Sequence, residues 1–183
     1  MNKNLKVIHL SFGDKFGGGA ARASWRIHES LLSIGVDSKM IVWKNSMNED
    51  GMSDISSKNP KKYKLYRYRL VSFISEKITK LMKSNNSILH SINRFGVISA
   101  KDINKLDADI IHMHWIAFEF IKIEELKKIK KPIVFHLQDL WLILVTEHYP
   151  LYKNDERYNF EYSYKSRHKV HKKFDIDRYS YLR

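Results

Sequence analysis

Apolar positions along this chain fall into short unbroken runs that alternate with longer, spaced series. Leu5–Ser11, LKVIHLS, is an apolar run without helical spacing, closed soon after by Gly13, and it predicts a buried strand. Ala20, Ala23, Ile27, Leu31 and Ile34 then fall on one helical stripe, which predicts a helix over Ala20–Ile34 with Gly35 as its stop. Val36–Trp43, VDSKMIVW, predicts a second strand. Strand, helix and strand within about forty residues make a βαβ unit, parallel and right-handed.

Lys44–Pro60 is polar and rich in Asn, Ser and Asp, and predicts a loop. Lys61–Lys83 predicts a helix with Leu65, Leu70, Phe73, Ile74, Ile78 and Leu81 on its inner side. The other side is basic, with Lys61, Lys62, Lys64, Arg67, Arg69, Lys77, Lys80 and Lys83 against a single acid, Glu76. Ser84–Ser99 reads as irregular and Ala100–Leu106 as a short helix. Ala108–Trp115 predicts a strand, Glu119–Ile129 a helix with Ile121, Leu126 and Ile129 inward, and Lys131–Leu137 another strand. Pro132 stands at the start of that strand, where no ladder donor is lost. Residues 142–183 read as an irregular tail rich in Tyr, Lys and His.

Strands alternating with helices predict an α/β fold, an open, mostly parallel, Rossmann-like sheet flanked by helices, in one domain spanning 1–183. Ligands of such sheets lie outside the carboxyl ends of the strands. The glycine loop, Trp43, His114–Trp115 and Gln138–Asp139 all fall there.

Composition narrows this picture. A chain of 183 residues with 43% hydrophobic residues is long enough for one real core. With no cysteine, disulfides, Cys-ligated zinc and thiol nucleophiles are excluded. No apolar stretch approaches ~18 residues, and the run after the N-terminus is too short for a secretory signal, so a cytoplasmic location is expected. The net charge of +13 suits nucleic acid, a phosphorylated ligand or an anionic membrane. A coding bias toward Lys and Asn, which are spread along the whole chain, accounts for it as well.

Gly17, Gly18 and Gly19 sit between the first strand and the first helix. They do not make a dinucleotide fingerprint, because the second strand ends IVWKN without an acid, and there is no Gly-Lys-Ser/Thr of a P-loop. Two readings remain: backbone N–H groups offered to an anion at a helix N-terminus, or a tight turn. His112 and His114 share a strand face, and His136 lies on another strand. The three could hold zinc, but polar packing at the strand ends is the preferred reading, since no carboxylate joins them at ligand spacing. Trp115 and Trp141 serve either as lids on the core or as platforms for sugar rings. No Ser-His-Asp arrangement follows from spacing.

Together the segments resemble a family. "MNKNLKVIHLSFGDKFGGGAARASWRIHESLLSIGVDSKMIV" looks like the opening of family 4 glycosyltransferases of the GT-B fold. "INKLDADIIHMHWI" and "IEELKKIKKPIVFHLQDLW" are similar to that family's later block. The resemblance covers Leu5–Val42 and Ile103–Trp141. It implies one half, the acceptor-side half, of a retaining enzyme that moves a sugar from a nucleotide donor to a glycan or lipid-linked acceptor in surface polysaccharide synthesis. Gly17, Gly18 and Gly19 would approach the donor diphosphate. Gln138 and Asp139 would take the catalytic places, with His114, Trp115 and Trp141 along the acceptor side of the cleft. No metal or other cofactor is implied; the nucleotide sugar is a substrate.

Two departures stand out. The family's His-Asp pair reads Gln138–Asp139, and its "WPFTGGCHY"-like stretch reads WLILVTEHY, with Val145 and Thr146 in place of Gly-Gly. Nothing in residues 1–183 matches the family's donor-domain pair of Glu residues seven apart. A chain truncated before a donor domain, and inactive alone, is therefore expected. The alternatives are a basic nucleic-acid module and a non-catalytic remnant with a membrane or partner surface. Against nucleic acid, the basic helix is separate from the tryptophans. The basic helix predicts instead a surface for an anionic membrane through Lys61, Lys62, Lys64 and Arg67.

Overall fold

The structure is a computed structural model, and it describes residues 4–43, 52–54, 63–82, 88–144 and 146–150. Five strands form one parallel sheet: β1 (Lys6–Ser11), β2 (Asp37–Val42), β3 (Met52–Asp54), β4 (Ile110–Met113) and β5 (Ile133–Phe135). Their order is β3-β2-β1-β4-β5, the order of a doubly wound Rossmann-like sheet. The order reverses between β1 and β4, which places a crevice at their carboxyl ends.

Four helices connect these strands: α1 (Gly19–Ser33), α2 (Tyr63–Met82), α3 (Ala100–Asn104) and α4 (Ile123–Leu126). α1 ends as its sequence predicts. Gly35 takes φ 84°, its N–H donates to Leu32 O, and Val36 N–H donates to Leu31 O, closing a Schellman motif. α3 opens on a capping box between Ser99 and Asp102.

The main core lies on one face of the sheet. There Ile8 and Leu10 of β1 and Ile111 and Met113 of β4 pack with Val71 of α2, Ile103 of α3, Phe120, Ile121 and Trp141. On the opposite face Met40 and Val42 pack with Trp25 of α1.

Three expectations are corrected. The loop expected over Lys44–Pro60 contains β3, a three-residue edge strand paired Met40↔Met52 to Val42↔Asp54. Its polar sequence hides it, because an edge strand can be held by backbone pairing alone. The rest of that stretch, with Lys61 and Lys62, lies outside the described residues. α2 is rotated about its axis from the expectation, and of the expected inner side Leu65, Ile74 and Ile78 stay at least half-buried. Val71 is buried and Leu65 and Tyr68 pack on the core, whereas Leu70, Phe73 and Leu81 are 60%, 56% and 82% exposed. Ser75 on the inner side donates to Glu119 Oε1 at 2.9 Å, and Tyr68 lies 4.2 Å from Trp43 between ring centroids. A small polar residue aimed at a buried acid fixes the rotation that hydrophobicity alone left open.

The helix expected over Glu119–Ile129 is reduced to Ile123–Leu126. Phe118 and Glu119 are left-handed, with φ 52° and 61°. Glu119 is almost fully buried, and its carboxylate accepts the N–H groups of Arg94, Phe95 and Gly96 at 3.2, 2.7 and 3.2 Å. Those bonds need the backbone of Glu119 out of a helix. Of the tail, residues 142–144 and 146–150 are described and carry no regular element.

Candidate functional site

The loop from β1 to α1 is held from within. Phe16 N–H donates to Asp14 Oδ1 at 3.0 Å, and Gly17 N–H donates to Asp14 O at 2.8 Å. The three glycines differ. A Cβ on Gly17 would stand 3.0 Å from Gly13 Cα and 3.1 Å from Asp14 O, so Gly17 is needed for packing. Gly18 takes φ 100° and caps α1 without a side-chain hydrogen bond. Around Gly18 and Gly19 a Cβ would meet nothing within 4 Å. One glycine closes the turn, and two leave the N-terminus of a fifteen-residue helix open. No acid stands in its first turn. Beside it a groove of about 420 Å³ is lined by Lys15, Phe16, Arg22, Trp25, Arg26 and Glu29. The helix end and the excess of cations both favour an anion.

Gln138 reaches this same rim. Its Nε2 donates to Ala20 O, in the first turn of α1, at 2.7 Å across 118 residues of sequence. Its Oε1 is buried without a hydrogen-bond partner.

Asp139 begins a second cluster. Trp115 Nε1–H donates to its Oδ2 at 2.7 Å, His148 Nδ1–H to the same oxygen at 2.5 Å, and Trp141 N–H to Oδ1 at 3.0 Å. Partial burial works to raise the Asp139 pKa, but the bonds from His148, Trp141 and Trp115 outweigh it and hold the carboxyl below its ordinary range. His148 Nε2 in turn lies 2.9 Å from Ser91 Oγ. A Ser91–His148–Asp139 series thus exists that spacing did not reveal. Ser91 is 4% exposed, and its N–H and C=O are tied to Thr146 O and Trp141 Nε1. The series holds Asp139 in place. The sequence signal for His148 was its position in WLILVTEHY, opposite the histidine of the family's stretch.

The remaining expected site residues separate. Trp115 is half-buried beside Asp139, while Trp141 is buried and stacks on His148 at 6.2 Å between centroids. Trp43 is buried against Tyr68. Arg67 spends one guanidinium nitrogen on Gly96 O at 3.1 Å, and the Lys64 side chain is outside the described residues.

Histidines form a third cluster, on the α1 side of the sheet. The β1–β4 register sets His9 opposite His112. His9 Nδ1 lies 2.9 Å from His114 Nε2, and His9 Nε2 lies 3.0 Å from Ser38 Oγ. Ser38 Oγ also meets His28 Nδ1 at 2.7 Å. Burial, reinforced by neighbouring imidazoles, lowers the pKa of His9 to about 3 and of His114 to about 2. His28 and His112 are lowered too, chiefly by burial. His136 is exposed, 5.6 Å from His114 between ring centroids. The group whose ligand atoms converge is His9, His112 and His114. The sequence places His136 in that group by pattern and gives His9, inside the apolar run of β1, no chemical role.

The chain matches no protein-family model, no curated protein and no solved structure. Among the described residues no helix is long and apolar enough to cross a membrane.

Proposed function

We propose that this chain supplies the acceptor-side half of a retaining GT-B glycosyltransferase, which transfers a sugar from a nucleotide donor to a glycan or lipid-linked acceptor. The observation that carries the reading is the Gln138 Nε2 bond to Ala20 O. It brings the rim after β5 to the first turn of α1, directly after Gly17–Gly19. These are the two segments that the resemblance assigns to the donor sugar and its diphosphate. The open helix end at Gly18 and Gly19 would take the diphosphate through backbone N–H groups. The buried, unpartnered Gln138 Oε1 is an acceptor available for a sugar hydroxyl. Asp139, anchored by His148, would stand with Trp115 on the acceptor side. A second unit holding the nucleotide would complete the cleft.

Gln138→His tests the assignment in a transfer assay with the complete enzyme. Histidine restores the family's residue, so transfer is expected to hold or rise. A fall of more than about tenfold, roughly 1.4 kcal/mol of transition-state stabilisation, would mean that the glutamine has a role of its own and that the alignment with the family fails.

The exposed face of α2 favours a membrane-borne acceptor. Tyr66, Leu70, Phe73 and Leu81 are 65%, 60%, 56% and 82% exposed and follow helical spacing. Arg69, Lys77 and Lys80 flank them, and Lys77 lies 5.3 Å over the Phe73 ring. An apolar stripe bordered by cations suits the interface of an anionic bilayer. Sedimentation with liposomes is expected to require anionic lipid and to fade with salt. Leu70→Ser with Phe73→Ser is expected to release the chain, as are charge reversals at Lys61, Lys62, Lys64 and Arg67. Equal binding to neutral vesicles would remove the electrostatic part of the proposal.

A further inference from the structure

Parallel sheets are normally apolar on both faces. Here the centre of one face is built of imidazoles, from β1, from β4 and from the segment after β4. From the convergence of His9, His112 and His114 we infer that this face is a binding site for a late first-row divalent cation such as Zn²⁺. Each histidine offers a ring nitrogen, and these atoms lie within 4.8 Å of one another. A tetrahedral ion with bonds of about 2.0–2.1 Å draws such nitrogens to within about 3.4 Å, a shift of ring torsions and not of strands. The strands fix the geometry: β1 and β4 pair in a register that sets His9 beside His112, and His114 N–H donates to Leu10 O.

Two further observations support a ligand. First, His114 is 3% exposed, and its Nδ1 is buried without a hydrogen-bond partner. The hydrogen-bonded chain His28–Ser38–His9–His114 can run in either direction. In both, Ser38 gives its proton to one imidazole and takes one from the other, and His114 Nδ1 is left over. Buried polar nitrogens are rarely left so. Second, Ser38 Oγ holds His9 through Nε2, so His9 offers an ion its Nδ1 by exchanging the contact with His114 Nε2 for the metal bond. That is the outer-shell support given to metal-bound histidines, fixing tautomer and ring plane.

The cluster contains no carboxylate, and its donors are imidazole nitrogens alone. Neutral nitrogens select zinc, cobalt, nickel or copper over magnesium or calcium. Three protein ligands leave a fourth position for water or an anion. Exposed His136 lies 6.1 Å from half-buried His112 and 5.6 Å from buried His114 between ring centroids. This inference is independent of the glycosyltransferase reading.

The test is optical titration of the untagged, chelator-stripped chain with Co²⁺, followed by competition with Zn²⁺. The expected result is one Co²⁺ per chain with the visible absorption bands of tetrahedral cobalt, bleached by one equivalent of Zn²⁺. His112→Ala, at the half-buried position, is expected to weaken binding at least a hundredfold while the circular dichroism stays unchanged. Ser38→Ala removes only the outer support and is expected to weaken it about tenfold. Absence of stoichiometric tetrahedral cobalt would overturn the inference. So would unaltered binding by a folded His112→Ala chain, which would place the ion on other histidines. If His112→Ala does not fold, unaltered affinity in Ser38→Ala overturns it equally.

Discussion

Replacing Gly96 with alanine is expected to cost about 2–5 kcal/mol of stability or more, a large share of what holds a domain folded. Two effects add. Gly96 holds φ 66°, where an L side chain costs roughly 1–2 kcal/mol. Its Cβ would also stand 2.3 Å from Lys122 N and 3.0 Å from Ile121 C, and backbone cannot swing aside as a side chain can. Overpacking of this kind costs about 1–3 kcal/mol or more. The site is central, because Gly96 N–H donates to buried Glu119 and Gly96 O receives Arg67. Gly18→Ala is the contrast. Gly18, at φ 100° and ψ −166°, holds a conformation nearly confined to glycine but has open space around it, so about 1–3 kcal/mol of strain is expected without a clash. Urea denaturation of the two variants checks this. Equal midpoints would show that the close approach of residue 96 to residue 122 is not formed.

The second large effect is acid destabilisation of the metal-free chain. In the folded chain His9 and His114 titrate at about 3 and about 2, against an ordinary 6.5. Below pH 6.5 the unfolded chain takes up protons that the folded chain refuses. Stability is therefore full above about pH 6.5 and is lost as the pH falls toward the folded values. Each histidine gives a slope of up to about 1.4 kcal/mol per pH unit. Both folded values lie well below pH 5, so in this window only the unfolded chain takes up the two protons, and about 4 kcal/mol in total is expected between pH 7 and pH 5. Urea midpoints measured in chelator at those two pH values check it. An unchanged midpoint would mean that these rings are not buried as described.

Much of the fold was legible because local and tertiary preferences agree there. β1, α1 and β2 are an apolar run, a stripe with a Gly stop and another run, and each forms within a residue or two of expectation. Two of the failures share a cause: a polar group acting at long range. Glu119 looked like the first residue of a helix, but its carboxylate is spent on the 94–96 backbone. α2 is rotated from its expected inner face, and Ser75 on the inner side is bound to that same carboxylate. β3 is three residues without a hydrophobic run. At the candidate site, Gln138 and the glycine loop were marked separately, and only topology makes them neighbours. His9 gave no chemical signal until the β1–β4 register placed it beside His112.

The central claim is that the rim formed by the glycine loop and Gln138 receives the diphosphate of a nucleotide sugar. Titration of the isotopically labelled chain with uridine diphosphate, followed by amide NMR, tests it most directly. For residues 1–183 by themselves, binding is expected in the millimolar range or weaker, roughly −4 kcal/mol or less favourable. The shifts are expected at Gly18, Gly19 and the side-chain amide of Gln138. Shifts confined to α2, or none at the loop at the highest soluble concentration, would contradict the account.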